Sequence, residues 1–125
     1  MRSRPPPRDD ILGPPKPALH HRPLLTPDQA SALARVFKIL ANDTRLRLLH
    51  ALVRAGELCV GDLAAAVGMQ PQAVSNQLQR LVDQRILGAQ RHGHHVHYQI
   101  VDPCVTSLLN YGLCLAEETG KGVEG

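Results

Sequence analysis

Apolar residues fall at helical spacing along most of the chain. Leu33, Val36, Phe37 and Leu40 lie three or four residues apart, behind the segment Thr26-Pro27-Asp28-Gln29. Thr26 and Gln29 form a capping box and Pro27 suits the first helical position, so a helix is predicted to start there. A second helix is predicted from Asn42-Asp43, each a good N-cap, through Leu46, Leu49, Leu52 and Val53 to a stop at Gly56. A short helix follows from about Val60 to Val67, halted by Gly68. Met69-Gln70 makes a turn, and Pro71 opens a longer helix with Val74, Leu78, Leu81 and Val82 on one face. A short helix, a tight glycine-containing turn and a longer helix form the helix-turn-helix pattern.

The period then changes. Ile86 to Arg91 and His95 to Ile100 read as two strands around His92-Gly93-His94, because Val96, Tyr98 and Ile100 alternate and Gly93 permits the turn. A last helix is predicted from Pro103 to about Glu118, with Val105, Leu108, Leu109, Leu113 and Leu115 as its apolar positions. The fold class expected is mainly α with a small β-hairpin: a winged helix-turn-helix, dimeric, with helices flanking the DNA-binding core.

Composition refines this. Seven of the ten prolines lie in the first 23 residues, so residues 1–25 are expected to form a disordered arm. Residues 26–119 form the winged domain, and 120–125 a frayed tail. The length of 125 residues suits one domain and leaves no room for a separate catalytic one. Phe37, Tyr98 and Tyr111 are the only aromatic side chains, so the core rests on aliphatic residues and is a candidate for extension by dimerisation. Lys and Arg total 14 against 11 acids, a net charge of +3 that fits a nucleic-acid partner without demanding one. No apolar run approaches the ~20 residues of a membrane span, and no apolar stretch follows Arg2, Arg4 and Arg8 as a signal peptide requires. A cytoplasmic location is expected. Three cysteines, an odd number, argue against a disulfide framework.

The helix opened by Pro71 has a polar face. Gln70, Gln72, Ser75, Asn76 and Gln79 can turn outward while Ala73, Val74 and Leu78 pack inward. Gln and Asn pair with adenine edges and Ser with bases or phosphates. Arg80 and Arg85 are placed for phosphates. The hairpin adds Arg91, His92, His94 and His95, a cationic tip suited to the minor groove or the backbone. A metal site from His92, His94, His95 and His97 is an alternative use of the same residues, although strand alternation sets His95 and His97 on one face and His94 on the other.

Four segments carry a family resemblance. Leu40-Ala41-Asn42-Asp43-Thr44-Arg45-Leu46-Arg47-Leu48-Leu49, the stretch Glu57 to Leu63, Ala73-Val74-Ser75-Asn76-Gln77-Leu78, and His92 to Tyr98 resemble, in order, successive signatures of the ArsR/SmtB family. The resemblance covers about residues 28–118. It implies a homodimeric winged-helix repressor that holds operator DNA until a metal ion or another inducer weakens the complex. It places DNA reading on Gln70, Gln72, Ser75 and Asn76. Asn76 stands where the family usually has His, and His94 where the wing usually has Arg.

The resemblance also implies several places for an inducer. A two-cysteine site in the segment ELCVGDL is incomplete here, because Gly61 replaces the second cysteine. A related arrangement would combine Cys59 and Asp62 with His20 and His21 of the arm, a tetrahedral set for zinc or a similar ion. The alternative reading is a half-buried Cys59 and an Asp62 that favours a helix N-terminus. In the last helix, the family's zinc pattern meets Asp102-Pro103-Cys104, then Leu115 and Glu118; Leu115 cannot bind a metal. Cys104 and Cys114 are ten residues apart, ~15 Å along one helix, so they cannot share an ion within a chain. Across an antiparallel pair of terminal helices they can meet, with Asp102 and Glu118 nearby. Two thiolates favour soft ions, among zinc, cadmium, lead, mercury and arsenite. The same thiols can instead serve a redox or reactive-sulfur sensor, or simply pack in a dimer seam.

The expected function is therefore a transcriptional repressor that releases operator DNA on binding a thiophilic metal or metalloid, with redox sensing as the alternative and a winged-helix protein-interaction module as the reading from another class. Glycines 56, 61 and 68 punctuate helices and form no phosphate cradle, and no catalytic triad or complete catalytic zinc motif is present, so no enzymatic activity is expected.

Overall fold

The computed structural model describes residues 18–124. Most of the proline-rich arm, residues 1–17, lies outside the described residues. The chain divides into two compact units, 1–35 and 36–125. In the first, Leu19–His21 forms a single 3-10 turn inside the stretch expected to be a disordered arm. Thr26 and Gln29 make the anticipated capping box, each side chain accepting the other's backbone N–H at 2.9 and 3.1 Å. Helix α1, Pro27–Leu40, starts on it.

The second unit holds the remaining elements: α2 (Asp43–Ala55), β1 (Leu58–Cys59), α3 (Val60–Val67), α4 (Pro71–Asp83), β2 (Leu87–His92), β3 (His95–Ile100) and α5 (Pro103–Glu124). Asn42 caps α2 by accepting the Arg45 N–H at 3.0 Å. Gly68 takes the left-handed conformation that ends α3, and Met69 N–H reaches back to Ala64 at 3.0 Å. Pro71 then begins α4, two residues on. The helix-turn-helix thus forms where its punctuation puts it.

The strands form one antiparallel sheet of order β1-β3-β2. The sequence pattern missed β1. Two residues are too few to show alternation, yet they pair Leu58 with Tyr98 and Cys59 with His97. The hairpin register, Leu87 with Ile100 through His92 with His95, leaves only Gly93-His94 in the turn. Gly93 has φ +66° and His94 does not have positive φ, the pattern of a type II′ turn. The last helix runs to Glu124, past the expected end near Glu118 and through most of the segment read as a frayed tail.

The core contains no buried polar or charged residue among those described. Leu48, Leu49, Leu52, Leu63, Val74, Leu78 and Leu81 are fully enclosed, and Tyr98 closes the sheet side. At about 25 cal/mol per Å² of apolar surface, this aliphatic cluster is the main stabilising term. The expected core residues fall into three groups, with Val82, Val105, Leu108 and Leu109 half-buried against the core. Leu49, Leu52, Val74 and Leu78 are inside, while Leu33, Val36, Phe37, Leu46, Val53, Leu113 and Leu115 are exposed. The helical period identified an apolar face in each case, but not whether that face is covered by this chain.

Candidate functional site

Helix α4 is held by its apolar edge. Val74, Leu78 and Leu81 have no exposure, which fixes the rotation of the helix and turns Gln72, Asn76, Gln79 and Arg80 outward, with Ser75 half-buried beside them. Gln70, exposed, is the N-cap residue and makes no side-chain cap. The first turn of α4 carries no acid, so its free N–H groups and positive dipole end are available to a phosphate. Gln72 Nε2 donates to Asn76 Oδ1 at 3.2 Å, one turn along, and Gln79 Nε2 to Asp83 Oδ1 at 2.9 Å. The amides are thereby arranged in a row before any partner arrives.

Behind this row lies a tie that the pattern of apolar positions did not reveal. Arg45 Nη1 donates to Gln77 Oε1 at 2.8 Å, and its Nε donates to the Ile39 carbonyl at 2.7 Å. One guanidinium therefore fixes the end of α1, the start of α2 and the middle of α4. Arg47 Nη1 also donates to the Val67 carbonyl at 3.3 Å, satisfying the end of α3. Both arginines lie in the first of the four segments that carry the family resemblance, but no role followed from that.

On the wing, Arg91 Nη1 reaches the Gly93 carbonyl at 3.5 Å, and Arg91 and His94 are exposed at and beside the tip. Arg85 follows α4 with φ +63°, the only positive φ of a non-glycine among the described residues. Its N–H bonds Val82 and that of Ile86 bonds Leu81, both at 2.9 Å. This is a Schellman ending with an arginine where glycine is usual.

The four histidines expected as an alternative wing metal set do not converge. Instead, Glu57, His92 and His97 do, each placing a ligand atom within 4.8 Å of the others. The reason is the two-residue turn, which leaves His92 on the strand beside His97, and β1, which brings in Glu57.

The cysteines are all free. Cys59 is half-buried, whereas Cys104 and Cys114 are exposed on α5. Cys59 Sγ donates to Asp62 Oδ2 at 3.3 Å. His20 and His21, with ring centroids 3.9 Å apart, belong to the first unit, and Cys59 and Asp62 to the second. Asp102 Oδ1 accepts the Cys104 N–H at 2.8 Å, so its carboxylate starts α5. Glu118 is exposed. Along the groove between the end of α1, α2 and α5 runs an apolar hollow of about 590 Å³, lined by Phe37, Leu46, Val53, Leu109, Leu113 and Ala116 among others.

Residues 42–88 match the family model described as "Bacterial regulatory protein, arsR family". The transcriptional repressor SmtB homolog of Synechocystis sp. is 47% identical over 81 residues, covering 65% of this chain and 61% of that protein. The cadmium resistance regulatory protein CadC of Listeria innocua is 33% identical, covering 66% of this chain and 69% of CadC. The crystal structure of AntR, an antimony-specific transcriptional repressor, superposes with a TM-score of 0.74 at 64% identity, over 85% of this chain and 96% of AntR.

The chain belongs to the ArsR family.

The matched segment runs from the cap of α2 to the start of the wing and contains the entire helix-turn-helix. ArsR-family members are DNA-binding regulators rather than enzymes, and their winged helix-turn-helix is the fold described above. The chain spans 61% of the length of the SmtB homolog, and the same share of the arsenic resistance regulator ArsR1 of Pseudomonas putida. No helix among the described residues is long and apolar enough to cross a membrane.

Proposed function

We propose that this chain is a homodimeric repressor that binds operator DNA and releases it when a thiophilic metal or metalloid ion bridges Cys104 of one protomer and Cys114 of the partner subunit. The observation that carries the reading is the placement of two free, exposed thiols on α5, a helix whose Tyr111 and Leu115, one turn apart on the same face, are 76% and 65% exposed. An apolar helix face of that extent calls for a covering surface, and a second copy of α5 supplies one. Antiparallel pairing brings together the thiols that one helix holds ~15 Å apart. AntR is named for antimony and CadC for cadmium, both soft ions suited to thiolate; zinc, lead, mercury and arsenite are the other candidates. The cytoplasm is the location this function requires.

DNA reading falls to Gln70, Gln72, Ser75, Asn76 and Gln79, with Arg80, Arg91 and His94 on phosphates or the minor groove. Two such helices must reach successive major grooves ~34 Å apart. An ion that binds better to a dimer lacking that spacing lowers operator affinity by its differential affinity for the two states.

The test is fluorescence anisotropy of operator DNA with the dimer, challenged by antimonite, arsenite, cadmium and zinc, with thiols titrated alongside. Cys104→Ser and Cys114→Ser are each expected to abolish release by the active ion while leaving basal DNA binding. A full response from both variants would refute this site and turn attention to Cys59, Asp62, His20 and His21. Release by an oxidant or polysulfide, with no ion active, would favour the redox reading.

A further inference from the structure

The outer face of the wing sheet gathers ligands of a kind the thiol pair lacks. Strand pairing sets the order. Cys59 faces His97 across β1 and β3, and His97 faces Gln90 across β3 and β2. Side chains directly opposite share a face, and positions two apart share it again. Glu57, Cys59, His97, His95, Gln90 and His92 therefore stand on one side of the sheet, and Leu58, Tyr98 and Leu87 on the core side. His97 belongs to the central strand. Its Nδ1 lies 3.1 Å from Glu57 Oε2. Its ring lies 4.7 Å from that of His92, centroid to centroid, at 60°.

The Glu57–His97 contact alone would be an ordinary surface hydrogen bond. The second imidazole changes the chemistry. Two imidazole nitrogens and one carboxylate oxygen are a ligand set that zinc accepts, with a fourth position left to water or another group. Tetrahedral ligands at about 2.0–2.2 Å from the ion stand roughly 3.3–3.6 Å apart. The three atoms here already lie within 4.8 Å of one another, and their side chains are partly exposed. Small rotamer changes close the remaining gap.

We propose that Glu57, His92 and His97 bind one borderline divalent transition-metal ion per chain, of the class of zinc or cobalt(II), separate from any thiolate site on α5. One ligand precedes β1, one ends β2 and one lies within β3. The bound ion ties the three strands of the wing together and fixes the hairpin that carries Arg91 and His94. Nitrogen and oxygen donors select against arsenite and antimonite and for the later first-row divalent ions.

The experiment uses the full chain carrying Cys104→Ser and Cys114→Ser, titrated with cobalt(II) and followed by its visible d–d bands, with zinc as competitor. One equivalent is expected to bind, and zinc to displace it. Adding His92→Ala and His97→Ala should weaken binding at least about tenfold, and Glu57→Gln should weaken it as well. A second readout does not depend on the variants: imidazole NMR signals of His92 and His97 should be the ones perturbed by zinc. No cobalt binding by the parent, undiminished affinity in the His92/His97 variant, or perturbation confined to other histidines would overturn the proposal.

Discussion

Arg45 on α2 and Gln77 on α4 are joined at 2.8 Å across 32 residues of sequence. The same guanidinium holds the Ile39 carbonyl, so the tie spans three helices. A charged hydrogen bond of this kind is worth about 1.5–3 kcal/mol when its loss strands a partner. Arg45→Ala is expected to cost about 2–3 kcal/mol in urea unfolding, and Gln77→Ala less. A double-mutant cycle should give a coupling of about 1 kcal/mol, and additive effects would show that the pair carries no shared energy. Arg45→Lys should behave like alanine at Gln77, because one ammonium cannot reproduce the fork.

Gln72 and Asn76 face outward with their amides already joined, and Ser75 lies half-buried beside them. Gln72→Ala combined with Ser75→Ala is expected to abolish discrimination between operator and random DNA, at about 1–3 kcal/mol for each base that is no longer read. Binding to random DNA and its dependence on salt should stay the same, since phosphate contacts are untouched. Competition binding at two salt concentrations separates these effects. Unchanged discrimination would remove α4 as the reading surface.

Arg85 holds a left-handed conformation at φ +63°. That costs roughly 1–2 kcal/mol relative to a helical one, partly offset in a glycine variant by the greater freedom of its unfolded chain. Arg85→Gly should therefore stabilise the fold by about 0.5 kcal/mol in thermal unfolding. The same change should weaken DNA binding and reduce the salt slope by about one, if the side chain meets a phosphate. Opposite movement in the two assays is the signature of strain retained for function.

Gly88 lies against Val101. A Cβ at position 88 would sit 2.8 Å from Val101 Cγ1. Gly88→Ala is expected to cost about 1–3 kcal/mol, and Val101→Ala, at a half-exposed position, should restore most of it. Failure of the rescue would place the requirement for glycine in the backbone and not in this contact.

How much of this was legible in the sequence depended on what each element needs. Capping residues and glycines are local signals, so Asn42, Gly56, Gly68 and Pro71 placed the helices to within a residue or two. Strand β1 was not legible, because a two-residue strand exists only through its pairing with β3. Without it, Glu57 had no reason to be set beside His97, and the histidines of the wing were grouped by proximity in the chain. Arg45 and Gln77 escaped notice for a similar reason: both are polar residues on helices, and only the packing of α2 against the helix-turn-helix shows that they meet. The exposed apolar residues of α5 read as core, since periodicity reports a greasy face and not what covers it.

Cys59 closes β1 and is also the residue from which α3 departs. No linker separates the sheet from the helix-turn-helix at that point. A hairpin pushed aside by a DNA backbone must drag the root of α3 with it, through the rungs between β3 and β1. On the proposed DNA contacts, groove and flank would be engaged by a single lever, and an operator that misplaced one would be poorly gripped by the other.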